Sequence, residues 1–369
     1  MTSWQRWLIV AMCTAIAIGV PFATRERPAD SSSLSAEELL DAAIASRQTP
    51  YTGYVEALGT LQLPVAENLE ELGPLFGERS RLRVWWRSPD LWRVDQIGPT
   101  GETDYFHRGT HTNTWTYEEF HTTRLRDRGV RLPLSPDLTP PQLAYYLMGG
   151  ALDDALTTLP SDRIAGRSAP GFRITPTDER SSIAHVDIWV DADSGVPLRV
   201  SVFDAAGIAF TSAFLDFEQT RPSNAVFRFP SPRGSTTSTR DTIDLADAAN
   251  RFAPFEPPDV VAGFERTENR RLDAVGVYGK GLTRFVVIPL GPDTAGPIRD
   301  QFLVTPTADL TPDGPVLSVG PLAVAITRWD KRFTGGGWLV AGTLTPEALT
   351  DIVAELDEPS LTVLNGIDG

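Results

Sequence analysis

The chain has one cysteine, Cys13, four histidines and only two lysines, Lys280 and Lys331. A single cysteine excludes an intrachain disulfide framework and every multi-cysteine zinc or iron–sulfur site. There is no G-x-S-x-G elbow, and Gly279-Lys280-Gly281 lacks the Ser or Thr that a phosphate loop carries after its lysine. Basic charge is short too: 33 Lys and Arg stand against 48 Asp and Glu, a net charge of −15. That excludes nucleic acid as the main partner, because neutralising phosphates needs a basic face. Thirty glycines and thirty prolines interrupt helix interiors and argue against a helical bundle. What is present is 41% apolar residues over 369 positions, enough for sizeable cores and two domains.

Arg6 precedes an uncharged, mostly apolar run from Trp7 to Ala23, and Arg25, Glu26 and Arg27 follow it. This pattern reads as a signal anchor or a secretory signal. As a helix the run covers roughly 25 Å, a little short of the roughly 30 Å hydrocarbon core, so a short or tilted span fits. Pro21 makes cleavage after Ala23 poor, and Met12 is large for lipoprotein processing at Cys13. Each outcome exports the rest of the chain. The expected location is therefore a cell membrane, single-pass, with the bulk outside the cytoplasm, and residues 1–33 serve as anchor and tether.

Ser35 and Glu38 form a capping box for a helix that Leu39, Leu40, Ala43 and Ile44 make one-sided. From Tyr51 the period becomes two. Arg79, Arg81, Arg83, Trp85 and Arg87 share one strand face, and Leu82, Val84 and Trp86 share the other. Leu91–Ile97, Glu102–His107, Asn113–Tyr117 and Phe120–Leu125 continue an antiparallel meander. A helical interlude is expected over Pro140–Leu159. Strands resume at Gly171–Thr175, Ala184–Val190, Leu198–Phe203 and Ala209–Phe217. The run SPRGSTTSTRDT at 231–242 has the composition of a linker. Beyond it a small α+β domain, 243–369, is expected: a helix at Leu245–Arg251, a Gly-kinked hairpin at Ala274–Pro289, strands at Pro315–Arg328 and Gly337–Leu344, and a helix capped by Thr345.

The run RLRVWWRSPDLWRVDQ, followed by NTWTYEE with Trp115 and Tyr117, resembles the core of the LolA-like fold. VDIWVDADSGVPLRVSVFDAAG resembles the second hairpin of that family, and FEQTRPSNAVFRFP its final strand, with Phe227 and Phe229 before Pro230. The closing GWLVAGTLTPEALTDIVAEL is similar to the end of the MucB/RseB branch. The resemblance implies an α+β chain: a curved antiparallel half-barrel over 34–230, closed by helices above an apolar cavity, followed by a smaller α+β domain. It also implies non-enzymatic binding of a lipid acyl chain or lipoprotein, and of an anti-sigma factor or other envelope partner, with no cofactor. A carrier serving an exporter is the alternative. A mature start near Thr24 would favour the carrier, since an anchor holds a sensor in place.

On this reading the cavity wall draws on Leu82, Val84, Trp86, Trp115, Tyr117, Val186, Ile188 and Val190. The same alternation describes ordinary core packing against the covering helices. Residues 79–131 carry ten arginines against seven acidic residues, so Arg79, Arg81, Arg83 and Arg87 are candidates for an anionic partner, or simply a solvated sheet face. His107, His111, His121 and Glu118 straddle a turn at Gly109, so no metal site is expected from them. Asp191-x-Asp193-x-Gly195 lacks the later oxygen ligands of a calcium loop and reads as a hairpin turn.

Overall fold

The computed structural model describes residues 4, 29–60, 77–99, 101–126, 133–149, 153–229, 234–241, 255–267, 274–328, 336–356 and 362–363. The apolar run Trp7–Ala23 and the expected helix Leu245–Arg251 lie outside them. Among the described residues no helix is long and apolar enough to cross a membrane.

Helix α1 (Ala36–Ala45) starts at the expected capping box: the Ser35 hydroxyl accepts from the Glu38 amide at 3.2 Å, and the Glu38 carboxylate accepts from the Ser35 amide at 2.8 Å. The chain then forms β1 (Tyr51–Gly59), β2 (Arg79–Ser88), β3 (Leu91–Ile97), β4 (Glu102–Arg108), β5 (His111–Thr116) and β6 (His121–Arg126). Helix α2 (Pro140–Met148) follows, then β7 (Ala155–Ile164), β8 (Arg167–Thr175), β9 (His185–Val190), β10 (Pro197–Asp204), β11 (Gly207–Glu218) and β12 (Thr236–Asp241). These twelve strands make one open sheet in the order β12-β6-β5-β4-β3-β2-β1-β11-β10-β9-β8-β7. All pairs are antiparallel except β12 with β6.

Two sequence expectations change. The helical interlude ends at Met148, and Ala155–Ile164 is the edge strand β7. Leu156 and Leu159 have helix-like spacing, but the edge position tolerates Pro160, where the pairing shifts between Leu159 and Asp162. Inside the stretch read as linker, Thr236–Asp241 is also a strand. His121 explains its docking, because its two ring nitrogens lie 2.7 and 2.8 Å from the hydroxyls of Thr236 and Ser238.

The alternation read in β2 holds: Ser80, Leu82, Val84 and Trp86 are buried, while Arg79, Arg81 and Arg83 are exposed. The buried set faces α1 and α2 in one cluster with Leu39, Ala43, Ala144, Met148, Val186, Ile188 and Val200. This helix-covered side is the inner face. Gly53 is required there, since a Cβ would stand 2.6 Å from the Phe214 ring and from the Asp216 carbonyl.

The remaining chain forms the short ladders β13 (Phe255–Glu256), β14 (Val260–Val261) and β15 (Phe264–Glu265), then β16 (Gly276–Lys280), β17 (Thr283–Leu290), helix α3 (Pro292–Val304), β18 (Ala308–Thr311), β19 (Gly314–Val319), β20 (Leu322–Ile326), β21 (Gly337–Gly342), helix α4 (Pro346–Leu356) and β22 (Thr362–Val363). Its six-stranded sheet runs β16-β17-β21-β20-β19-β18 and packs on α4 through Leu349, Ile352 and Val353. The single strand expected over Pro315–Arg328 is a hairpin, because Gly320 adopts a left-handed φ of 58° and turns the chain.

The β8–β9 loop fastens the sheets together. Arg180 is forked onto Asp178, donates to the Ala262 carbonyl at 2.9 Å, and lies 3.5 Å over the Phe264 ring. The Thr345 amide donates to the Arg180 carbonyl at 2.8 Å, and the Ser182 hydroxyl donates to the Pro321 carbonyl at 2.5 Å. Leu282, from the second sheet, is buried in the core of the first.

Candidate functional site

Strand pairing puts Tyr51, Trp86, Trp92 and His107 side by side across β1–β4 on the inner face. Their rings stack in sequence: Tyr51 on Trp86 at 6.1 Å, Trp86 on Trp92 at 6.3 Å, Trp92 on His107 at 4.8 Å. The Trp86 indole donates to the Arg47 carbonyl at 3.2 Å, just past α1. Ser46 and Tyr145 join α1 to α2 through hydroxyls 2.9 Å apart. Tyr51 itself is 1% exposed, and its hydroxyl has no hydrogen-bond partner among the described residues. Burial pushes that phenol well above its ordinary pKa, and Tyr145 adds to the effect, so it remains a neutral donor.

Leu82, Val84, Trp86, Val186, Ile188 and Val190 all lie on this face, each no more than 5% exposed, and all belong to the cluster that packs on the helices. In this conformation their contacts are with the protein's own side chains. Where the face meets the surface, a cleft of about 290 Å³ opens between α1 and the β9–β10 turn, lined by Leu34, Leu39, Ala42, Pro170 and Val190 among others. Asp191 fixes that turn: it accepts an arginine fork from Arg167 at 2.8 and 3.1 Å and the Ser194 hydroxyl at 2.6 Å. Gly195 presses the turn onto α1 with a φ of 71°, and a Cβ there would stand 2.7 Å from the Ala42 carbonyl. The motif is thus a hairpin turn.

Trp115 and Tyr117 are on the other side. The register Arg83–Asp95–Asp104–Trp115 runs straight across β2–β5, so Trp115 shares the arginine face. It is buried there against Tyr117 and Phe120, whereas Tyr117 is 49% exposed. A count of apolar positions cannot assign faces; the register, set by the turns between strands, does so.

The four candidate arginines also divide. Arg79 and Arg81 approach Glu56 at 3.6 and 3.5 Å and stay half exposed, and Arg83 lies over Trp85. Arg87 instead grips the segment after β11: it donates to Asn224 and to the Pro222 carbonyl and stacks over Phe227. An open cationic stripe is left at Arg79, Arg81 and Arg83. Beside it lies a group the sequence reading passed over: Arg93, Asp95, Glu102, Asp104 and Tyr117. Arg93 donates to both Asp95 oxygens at 2.6 and 2.8 Å and to Asp104 at 3.0 Å, with Trp85 and Phe106 under its guanidinium. The available signal was parity, since Asp95 falls on the same strand face as Arg93.

The histidines do not converge. His107 is 2.9 Å from the Thr112 hydroxyl on the inner face, His111 the same distance from Thr110, and His121 holds β12.

No protein-family model matches the chain, and no curated protein does. Among solved structures it is similar to the MucA/MucB complex of Pseudomonas aeruginosa, with 17% identity and a TM-score of 0.49 over 86% of this chain and 96% of that one. A crystal structure of MucB gives 16% identity and a TM-score of 0.45 over 87% and 96%. A LolA superfamily protein from Nitrosomonas europaea gives 12% and 0.23 over 53% and 99%.

Proposed function

We propose that this chain is an extracytoplasmic, membrane-tethered binding protein of the regulatory kind. Residues 34–230 form a half-barrel unit that takes an acyl chain or a lipoprotein tail between sheet and helices. Residues 243–369, joined through 231–242, help to dock an envelope protein such as an anti-sigma factor. The activity is binding, without catalysis. One observation carries this reading: among the described residues two short helices, with Leu138, Ile183 and Leu282, cover the apolar inner face, and it reaches the surface at the cleft beside Val190. Entry there displaces α1, which packs on β7 and β8, and the tail extends along the inner face toward the aromatic row, whose Trp86 indole donates to Arg47 just past α1. Each buried methylene contributes about 0.8 kcal/mol, so a chain of moderate length suffices to offset the lost helix contacts. The sequence resemblance to the MucB/RseB branch supports the protein partner.

Native mass spectrometry of the exported chain, purified in detergent and then freed of it, tests the proposal. An apolar molecule that remains bound and exchanges with added fatty acid supports it. A bare mass that takes up no fatty acid contradicts it.

A further inference from the structure

Asp95 and Asp104 face one another directly across β3 and β4 and are 0% and 1% exposed. Glu102, on the same face of β4, brings its carboxylate within 4.8 Å of both. Against these three acids the described residues offer one bridging cation, Arg93, whose guanidinium contacts both aspartates. Tyr117 reaches the Asp104 Oδ2 at 3.5 Å, Glu118 is engaged with the Glu102 amide, and Arg83, across from Asp95, lies over Trp85. The other oxygen of Asp104, Oδ1, is fully buried and has no hydrogen-bond partner among the described residues. A buried carboxylate oxygen without a donor is costly, and two buried carboxylates sharing one guanidinium leave a net negative charge out of water.

A proton on the pair removes both costs. It neutralises the surplus charge and lets the two carboxyl groups hydrogen-bond to each other. A cation would have to sit beside a guanidinium already 2.6 to 3.0 Å from both aspartates, so charge repulsion opposes it. We propose that Asp95 and Asp104 hold one shared proton in the folded protein, and that its release on approach to neutral pH makes the outer face a pH-sensitive clasp. The clasp lies beneath Phe106, on which Phe229 packs from the segment that Arg87 grips. Loss of the proton therefore strains the contact that holds this segment down. The proposal is independent of any acyl ligand.

The direction of the effect follows from burial, which raises both groups, and from their mutual repulsion. Asp104 is pushed up from 3.8 to about 7, first by desolvation and then by the Asp95 charge, and Asp95 is raised by desolvation. Between those two values the folded chain binds more protons than the unfolded one. Its stabilisation is complete below 3.8, declines as pH rises from there, and is lost by the time pH has risen through about 7.

Thermal unfolding of the full chain and of its Asp104→Asn variant, followed from pH 5 to pH 9 with and without calcium, tests this. The variant is expected to lose the fall in melting temperature that the parent shows from pH 5 to about pH 7, so that the two curves part by several degrees by neutrality and run parallel above it. Curves parallel from pH 5 upward overturn the proposal, and so does a parent curve restored at alkaline pH by calcium, which would mark a cation site. If Asp104→Asn fails to fold, infrared spectroscopy of the parent decides. A protonated carboxyl band that disappears near neutrality supports the shared proton, and its absence at pH 6 overturns it.

Discussion

Tyr51 concentrates the chemistry of the inner face in one side chain. Its ring packs against Trp86, Phe214 and Phe217, yet its hydroxyl meets no partner among the described residues. An unpaired buried hydroxyl destabilises by roughly 1–3 kcal/mol, so Tyr51→Phe is expected to leave the unliganded fold equally stable or more stable by up to about 1 kcal/mol. The midpoint of chemical denaturation measures this, and a clear loss of stability would show that the hydroxyl is bonded in the free protein. Side chains of this kind were only partly legible in the sequence. The buried parity of Leu82, Val84 and Trp86 could be read directly, because β2 alternates without interruption. The placement of Trp115 could not, since it depends on how three hairpins align. Nor could Asp95 and Asp104, whose meeting is a matter of register between strands and not of spacing along the chain.

Helix α1 is the element that the proposed entry route displaces. Its capping box was readable from Ser35 and Glu38 alone, and the structure shows both hydrogen bonds. The edge strands were not readable. β7 imitates a helical spacing, and β12 is built from Ser, Thr and charged residues that composition assigns to a linker. In both cases pairing with a neighbouring strand overrides local preference. Because α1 moves on the proposed entry route, weakening it should cost stability and favour the ligand. Ser35→Ala removes the cap and is expected to cost about 1 kcal/mol. If the helix is displaced on binding, the same change raises fatty-acid affinity, by up to about fivefold for about 1 kcal/mol. Paired denaturation and binding titrations check both signs. A variant that loses stability and also loses affinity would place the ligand elsewhere.

At the scale of the whole molecule, two sheets with separate cores are held by the β8–β9 loop, with Arg180 as its principal contact to the smaller part. On the proposed function, bonds on both sides of that loop are the route by which a ligand event in the large sheet reaches the small one, so that differential ligand affinity would become differential partner affinity. All of this depends on the apolar chain reaching the aromatic row on the inner face of β1–β4. The most direct test uses a fatty acid brominated along its tail, which quenches tryptophan fluorescence only at close range. Titrated into the full chain, it should give saturable quenching. That quenching should shrink markedly in Trp86→Phe and Trp92→Phe and persist in Trp189→Phe, whose indole donates to Pro160 at the sheet edge. Absence of saturable quenching, or quenching unchanged in the first two variants, would contradict the account.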